Sequence, residues 1–151
     1  MLRDQIDNGL KEAMKARNQR RVSTLRMINA ALKDRDIEAR GAGREPLSDD
    51  ELLGLLQKMI KQRQESLDIY EKAGRHDLAA QERDEIAIIT SFMPQQMDEA
   101  ETQAAIAEVV NEVGAAGMKD MGRVMAALKE RYAGRMDFAK ASGAVKGMLA
   151  R

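Results

Sequence analysis

Apolar residues recur every three or four positions along most of the chain, which is the spacing of one face of an α-helix. The first stripe has members four residues apart, Leu2, Ile6, Leu10 and Met14. A basic run at residues 17–21 interrupts it, and a second stripe follows over residues 22–32. The segment Gly41-Ala42-Gly43 predicts a flexible turn after this second helix.

The third helix has a clear predicted start. Ser48 is followed three residues later by Glu51, the pattern of a capping box, in which each side chain accepts a hydrogen bond from the other residue's amide. The apolar stripe that begins at Leu52 runs to Tyr70, and Gly74 predicts a left-handed stop. A fourth apolar stripe then continues to Phe92.

Pro94 marks the predicted domain boundary, because the residue before a proline disfavours helical geometry. Three further apolar stripes follow it, and Asp98, Asp120 and Asp137 are the predicted caps of their helices. No alternation typical of strands is present. The sequence therefore predicts an all-α protein, with an N-terminal domain of about four helices at residues 1–94 and a small three-helix domain at residues 95–151.

Composition narrows the chemistry. The chain has no cysteine, which excludes disulfides, thiolate metal sites and cysteine nucleophiles. Its one histidine, His76, is too few for the His-rich ligand set of a typical catalytic zinc site. No stretch approaches the roughly 20 apolar residues of a membrane span, and the N-terminus lacks the pattern of a signal peptide. We expect a cytoplasmic protein with no bound cofactor, no metal and no membrane partner.

Charge is unevenly distributed although the net charge is zero. Residues 1–47 contain eleven Lys or Arg and seven Asp or Glu, whereas residues 48–94 contain six and ten, so the two segments carry +4 and −4. Pairing of these segments as neighbouring helices is the favoured interpretation. An exposed basic patch for nucleic acid is the alternative.

Four charged residues interrupt otherwise apolar stripes: Arg26, Arg63, Glu82 and Glu85. We expect them to form half-buried ion pairs that set the register between helices, with Glu82 bound to Arg26 or Arg63. A carboxylate metal site and general acid–base catalysis by the two glutamates are the weaker alternatives, because no nucleophile or histidine accompanies them.

The C-terminal helices carry basic residues near their predicted starts, where phosphate groups bind well to amides. The candidate RNA-binding residues are Lys119, Arg123, Arg135, Lys140 and Lys146. Ordinary solvated side chains are the favoured interpretation of these residues, and a surface that binds phosphates is the alternative. Gly143 and Gly147 form a smooth strip on the last helix, for which packing within the molecule is favoured over a binding groove.

Five stretches that together extend over most of the chain are distinctive: residues 23–33 (STLRMINAALK), 58–63 (KMIKQR), 70–79 (YEKAGRHDLA) with Glu82 and Glu85, 92–97 (FMPQQM) and 120–125 (DMGRVM). In this order they resemble the GatB/YqeY family over essentially the whole chain. The chain departs from the family at residues 134–138 (GRMDF), where a more basic, glycine-rich turn is expected, and this places RNA contacts there in question.

The resemblance implies an N-terminal helical domain with a three-helix tail, like the corresponding part of the B subunit of the tRNA-dependent amidotransferase. It implies a non-catalytic accessory module that binds structured tRNA by shape and backbone. A carbon–nitrogen ligase activity with glutamine as amido donor would be inherited by association alone, because nothing like the catalytic domains is present. The alternative is a module that docks on amidotransferase subunits or another helical protein without RNA.

Overall fold

The computed structural model describes residues 1–150, and the regular secondary structure in that range consists of helices joined by turns and loops, without a strand. This confirms the all-α prediction. The described α-helices are α1 (Leu2–Lys15), α2 (Gln19–Gly41), α3 (Asp49–Lys72), α4 (His76–Thr90), α5 (Glu99–Glu112), α6 (Met121–Arg131) and α7 (Phe138–Leu149), with a 3₁₀ helix at Met118–Asp120 before α6. The chain divides into two compact units, Met1–Met93 and a second that begins at Pro94.

The helix starts follow the local chemistry of the sequence. The Ser48 hydroxyl accepts a hydrogen bond from the Glu51 amide at 3.2 Å, and the Glu51 carboxylate accepts one from the Ser48 amide at 3.3 Å. Asp98 and Glu101 form a second box of the same kind at α5. Both arrangements satisfy amides that a helix end otherwise leaves unpaired.

The core of the first unit is aliphatic. Its fully buried large side chains come from all four helices and are Ile6, Leu25, Ile28, Leu52, Leu56 and Ile89. Burial of each stabilises the fold by roughly 1.5–3 kcal/mol relative to exposure. The second unit has a separate core of the same character, which includes Ile106, Val109, Val124, Leu128 and Val145.

Asp120 does not cap α6 as the sequence suggested. It is the last residue of the 3₁₀ helix, and no side chain caps α6. Its buried carboxylate instead accepts hydrogen bonds from the Ala116 amide at 2.9 Å and from Arg123 at 3.0 Å. The helical backbone of Asp120 itself, at φ −92° and ψ −1°, differs from the extended geometry that side-chain caps adopt. Asp137, which is extended, does cap α7.

An ion pair that the sequence analysis missed fixes the end of α2. Arg3 donates two hydrogen bonds to Asp36, at 2.7 and 2.9 Å, and a third to the Leu47 carbonyl at 2.8 Å. Asp36 also accepts from the Leu47 amide at 3.0 Å. The Arg3 hydrogen bonds, then the Leu47 amide, lower the pKa of Asp36 to about 2. One carboxylate therefore joins α1, α2 and the loop that leads to α3.

We predict that Asp36→Asn lowers the free energy of unfolding by about 1–2 kcal/mol at pH 7, because charge-assisted hydrogen bonds are lost. A carboxyl with a lowered folded-state pKa stabilises the protein above its unfolded pKa, near 3.8, and this stabilisation disappears as the pH falls towards 2. Urea unfolding at pH 7 and pH 2.5 should show the difference shrinking. The control is Asp34→Asn, on the same helix and exposed. Equal effects of both variants, or an undiminished difference at pH 2.5, would contradict this assignment.

Candidate nucleic-acid interface

The structure places the five candidate RNA-binding residues on two helix starts and one helix face of the second unit. Lys119 lies in the 3₁₀ helix, Arg123 in the first turn of α6, Arg135 in the turn before α7, and Lys140 and Lys146 on α7. Four of the five are exposed, and Arg135 is half-buried. The second unit therefore carries a set of cations that solvent can reach.

Two of these cations are tied to the unit by their own contacts. Arg123 pairs with Asp120 while 60% of its side-chain surface stays exposed. The Arg135 Nε donates to the Gln95 carbonyl at 3.0 Å, and the Met97 amide donates to the Arg135 carbonyl at 2.9 Å. Arg135 thus holds the entry segment against the turn before α7. Its first role is structural, which the sequence pattern did not reveal.

The three lysines are different. Lys119, Lys140 and Lys146 are exposed, and among residues 1–150 none of them forms an ion pair. An anionic partner would meet these ammonium groups without first breaking a bond within the protein. Of the five candidates, these three are therefore the cations most accessible to an anionic group.

The two helix starts differ in what an anion would find. At α7 the Asp137 carboxylate already accepts from the amides of Ala139 and Lys140, at 3.0 and 3.3 Å. The amides next to Lys140 are therefore capped, contrary to the expectation that they are open to phosphate. No side chain caps α6, and a Cβ atom added to Gly122 in its first turn would meet no heavy atom within 4 Å. The α6 start still differs from an open amide site, because the Met121 amide donates to the Met118 carbonyl and the Asp120 carboxylate accepts from Arg123.

The smooth strip on α7 faces away from the core of its unit. Gly143 and Gly147 are exposed, and a Cβ at either position would meet no heavy atom within 4 Å, so the expected packing against these glycines is wrong. The helix turns its buried face, which includes Ala141 and Val145, to the opposite side. Because Lys140 and Lys146 are six residues apart, they lie about 120° apart around the axis, with the glycines between them.

The buried ion pair of the first unit joins Arg63 to Glu85. The Arg63 Nε lies 3.1 Å from the Glu85 carboxylate, and only 12% and 7% of the two side chains are exposed. Arg63 also donates to the Met59 carbonyl at 3.0 Å and contacts the Met27 sulfur. Gln81 donates to Glu85 at 3.3 Å. Helices α2, α3 and α4 meet at this one guanidinium.

Glu82 is not the partner of Arg63, which corrects the sequence-based expectation. Its Oε2 is buried and has no hydrogen-bond partner among the described residues. Burial first, and then the neighbouring Glu85 carboxylate, raise the pKa of Glu82, while Arg63 opposes the shift. Arg26 is exposed and forms no ion pair within residues 1–150. The Arg63 guanidinium donates to Glu85, and its attraction for Glu82 is outweighed by desolvation and by the Glu85 carboxylate.

A groove of about 330 Å³ opens between α2 and α3 beside this ion pair. Its lining is Met27, Ala31, Asp34, Arg35, Leu55, Lys58, Met59, Gln62 and Arg63. The apolar lining residues lie four positions apart on each helix, Met27 and Ala31 on α2 and Leu55 and Met59 on α3. They form an apolar floor, and the charged residues of the lining form its rims. The predicted apolar stripes included Met59 and Arg63 of this lining and did not indicate a groove between the two helices.

The described residues contain neither a metal-binding cluster nor a membrane-spanning helix. Within residues 1–150 no group of three or more His, Asp or Glu is arranged to hold a metal ion. None of the helices in that range is both long and apolar enough to cross a bilayer.

Comparison with known proteins gives a family and several relatives. The family model described as Yqey-like protein matches residues 3–149. The protein named altered inheritance of mitochondria protein 41, mitochondrial, from Lachancea thermotolerans is 33% identical over 110 residues, which is 72% of this chain and 57% of that protein. Its namesake from Vanderwaltozyma polyspora is 28% identical over 123 residues, 77% of this chain and 64% of that protein.

A Saccharomyces cerevisiae protein of the same name is 31% identical over 90 residues, which is 60% of this chain and 47% of that protein. The chain thus spans about half to two thirds of the length of these curated relatives. Their names include the word mitochondrial and give no substrate or binding partner.

We predict opposite effects for two neighbouring substitutions on α4. Glu85→Gln leaves Arg63 buried without its counter-charge and should lower the free energy of unfolding by about 3 kcal/mol at pH 7. Glu82→Gln removes the charge of a half-buried carboxylate whose Oε2 has no hydrogen-bond partner, and it should leave stability equal to or above that of the wild type.

The pH dependence separates the two roles. A glutamate whose folded-state pKa is raised contributes stability below its unfolded pKa and loses it as the pH rises through the folded value. Chemical unfolding should therefore show the gain of Glu82→Gln at pH 7 disappearing near pH 4. Destabilisation of similar size by both variants would contradict the assignment of Glu85 as the partner.

Proposed function

The chain belongs to the YqeY-like protein family, and from this premise we propose that it is a non-catalytic accessory module that binds structured tRNA. It is related to the helical and tail part of the B subunit of the tRNA-dependent amidotransferase. The second unit supplies the binding surface. The observation that carries the proposal is the exposed strip of Gly143 and Gly147 with Lys140 and Lys146 on either side.

This surface suits a phosphate backbone. Exposed glycines within a helix are unfavourable by roughly 0.5–1 kcal/mol each relative to alanine, and here no neighbouring atom accounts for them. Without side chains between the lysines, a bulky partner can approach the helix backbone closely. Two ammonium groups then meet it from both sides, which fits a ribose–phosphate chain.

Composition favours recognition of shape over recognition of bases. The chain has two Phe, two Tyr and no Trp, so it offers few aromatic rings on which unpaired bases could stack. Double-helical RNA is bound mostly through its phosphates and 2′-hydroxyls. Since net charge is zero, affinity should be modest and steeply dependent on salt.

In the proposed role this chain does not catalyse a reaction by itself. Carbon–nitrogen ligase chemistry with glutamine as donor belongs to subunits that this module would accompany. Its proposed place is an aqueous compartment with its own translation, either the cytoplasm, as the sequence suggests, or the mitochondrial interior, as the relatives' names suggest.

The groove between α2 and α3 favours a second candidate function, docking on an amidotransferase subunit or another helical protein without RNA. Its floor contains Met27 and Met59, and methionine adapts to varied partners. A pull-down with and without nuclease separates the candidates. Partners retained after nuclease treatment, with no RNA recovered, would favour docking, whereas nuclease-sensitive recovery would favour RNA binding.

We predict that Lys140→Glu combined with Lys146→Glu weakens tRNA binding at least about tenfold and reduces the salt slope by about 1–2. Lys129→Glu, exposed near the C-terminal end of α6, is the control and should have little effect. Fluorescence anisotropy with folded tRNA and with random-sequence single-stranded RNA, at several salt concentrations, makes the measurement. No tRNA binding at low salt, or equal binding of both RNAs, would contradict the proposal.

A further inference from the structure

The turn between α1 and α2 contains an arginine where this chain otherwise uses glycine. Residues with positive φ in the described range are Gly43, Gly74, Gly114, Gly134 and Arg17. Arg17 has φ 56° and follows the end of α1, where the Asn18 amide donates to the Ala13 carbonyl at 3.0 Å. A left-handed backbone is unfavourable for residues with a Cβ, so glycine would suit this helix end better. The turn therefore keeps an arginine at a position where its backbone favours glycine.

The same turn contains the excess positive charge of the N-terminal segment. Residues 11–21 include five Lys or Arg and one acid, Glu12, which gives +4, the whole net charge of residues 1–47. Lys11, Lys15 and Arg17 are exposed, and none of them forms an ion pair within residues 1–150. Arg20 pairs with Asp84 of the acidic segment, whereas Lys11, Lys15 and Arg17 stay unpaired, so the pairing favoured by the charge pattern neutralises this turn only in part.

Two arginines at the start of α2, Arg20 and Arg21, contact α4 and the segment that follows it. Arg20 pairs with Asp84 at 3.0 Å, and the Arg21 guanidinium lies 5.4 Å from the centre of the Phe92 ring. The same ring also lies against Gly9 of α1, where a Cβ would be 3.0 Å from the Phe92 Cζ. The start of α2, next to the unpaired cations, is therefore held by an exposed ion pair and by a cation–ring contact to a side chain that also packs on α1.

From this strain, charge and anchoring we propose that the α1–α2 turn is a second RNA-contacting surface, at which Lys11, Lys15 and Arg17 bind backbone phosphates of a structured RNA. The inference rests on the proposed function and extends it to the first unit. A guanidinium binds phosphate through two parallel hydrogen bonds, which suits a residue held at a fixed backbone geometry.

RNA fits this turn better than an anionic membrane does. A helix that binds a bilayer surface inserts an apolar face. The apolar face of α1 is buried in its own unit, through Leu2, Ile6 and Ala13. Met14 is the large apolar side chain that remains exposed on α1 beside the turn, at 50%. Binding to the phosphates of an RNA requires no insertion of an apolar helix face.

The test compares Lys15→Gln/Arg17→Gly with wild type in the full chain. Arg17→Gly relieves the left-handed strain, so we expect Tm to stay equal or rise while tRNA affinity falls. The double variant should bind folded tRNA about tenfold more weakly, with a salt slope smaller by about 2. Lys15→Gln/Arg17→Lys should recover part of the loss. Arg44→Gly, an exposed arginine in a loop of the same unit, is the control and should bind as the wild type does.

Each other outcome has a definite meaning. Unchanged affinity in the double variant, together with weakening by the α7 lysine substitutions, overturns this inference and leaves the proposed function intact. Absence of tRNA binding by the wild type overturns both. Binding to phosphatidylserine vesicles that depends on Arg17, without RNA binding, also overturns the inference and identifies the surface as a membrane contact.

Discussion

The guanidinium of Arg63 is the polar contact at which three helices of the first unit meet. It reaches Met27 on α2, the Met59 carbonyl on its own helix α3, and Glu85 on α4. Aliphatic packing tolerates small sliding movements between helices. A buried charge that is separated from its partner, by contrast, lowers the stability of the fold by several kcal/mol. Arg63 therefore fixes how the helices register, and the groove between α2 and α3 lies beside the residue that holds them.

The sequence predicted the helices well because their signals are local. Apolar spacing and the Ser48 capping box each depend on residues within one or two turns. It failed where the outcome depends on distant geometry. The spacing of Glu82 and Glu85 could not show which one faces Arg63. The pattern around Asp120 did not indicate a 3₁₀ helix before α6. It therefore predicted that the Asp120 carboxylate caps α6, whereas this carboxylate accepts from the Ala116 amide and from Arg123.

The candidate site was predictable in composition but not in arrangement. The sequence identifies Lys140 and Lys146 as candidates. Only the structure shows that they flank an open glycine strip, because a Cβ on Gly143 or Gly147 would meet no heavy atom within 4 Å. The left-handed backbone of Arg17 left no trace in the sequence, since arginine gives no turn signal. Both proposed surfaces share one physical idea: exposed cations held at fixed positions where the backbone or its neighbours make room for phosphate.

The central claim is that this member of the YqeY-like family recognises RNA through its surface. Amide hydrogen exchange of the full chain, with and without folded tRNA at low salt, tests it most directly. The account predicts slower exchange around Lys119 and along α7, and at the turn that contains Arg17, with little change in the buried parts of α3. Identical exchange with and without tRNA at concentrations that saturate any complex would contradict it.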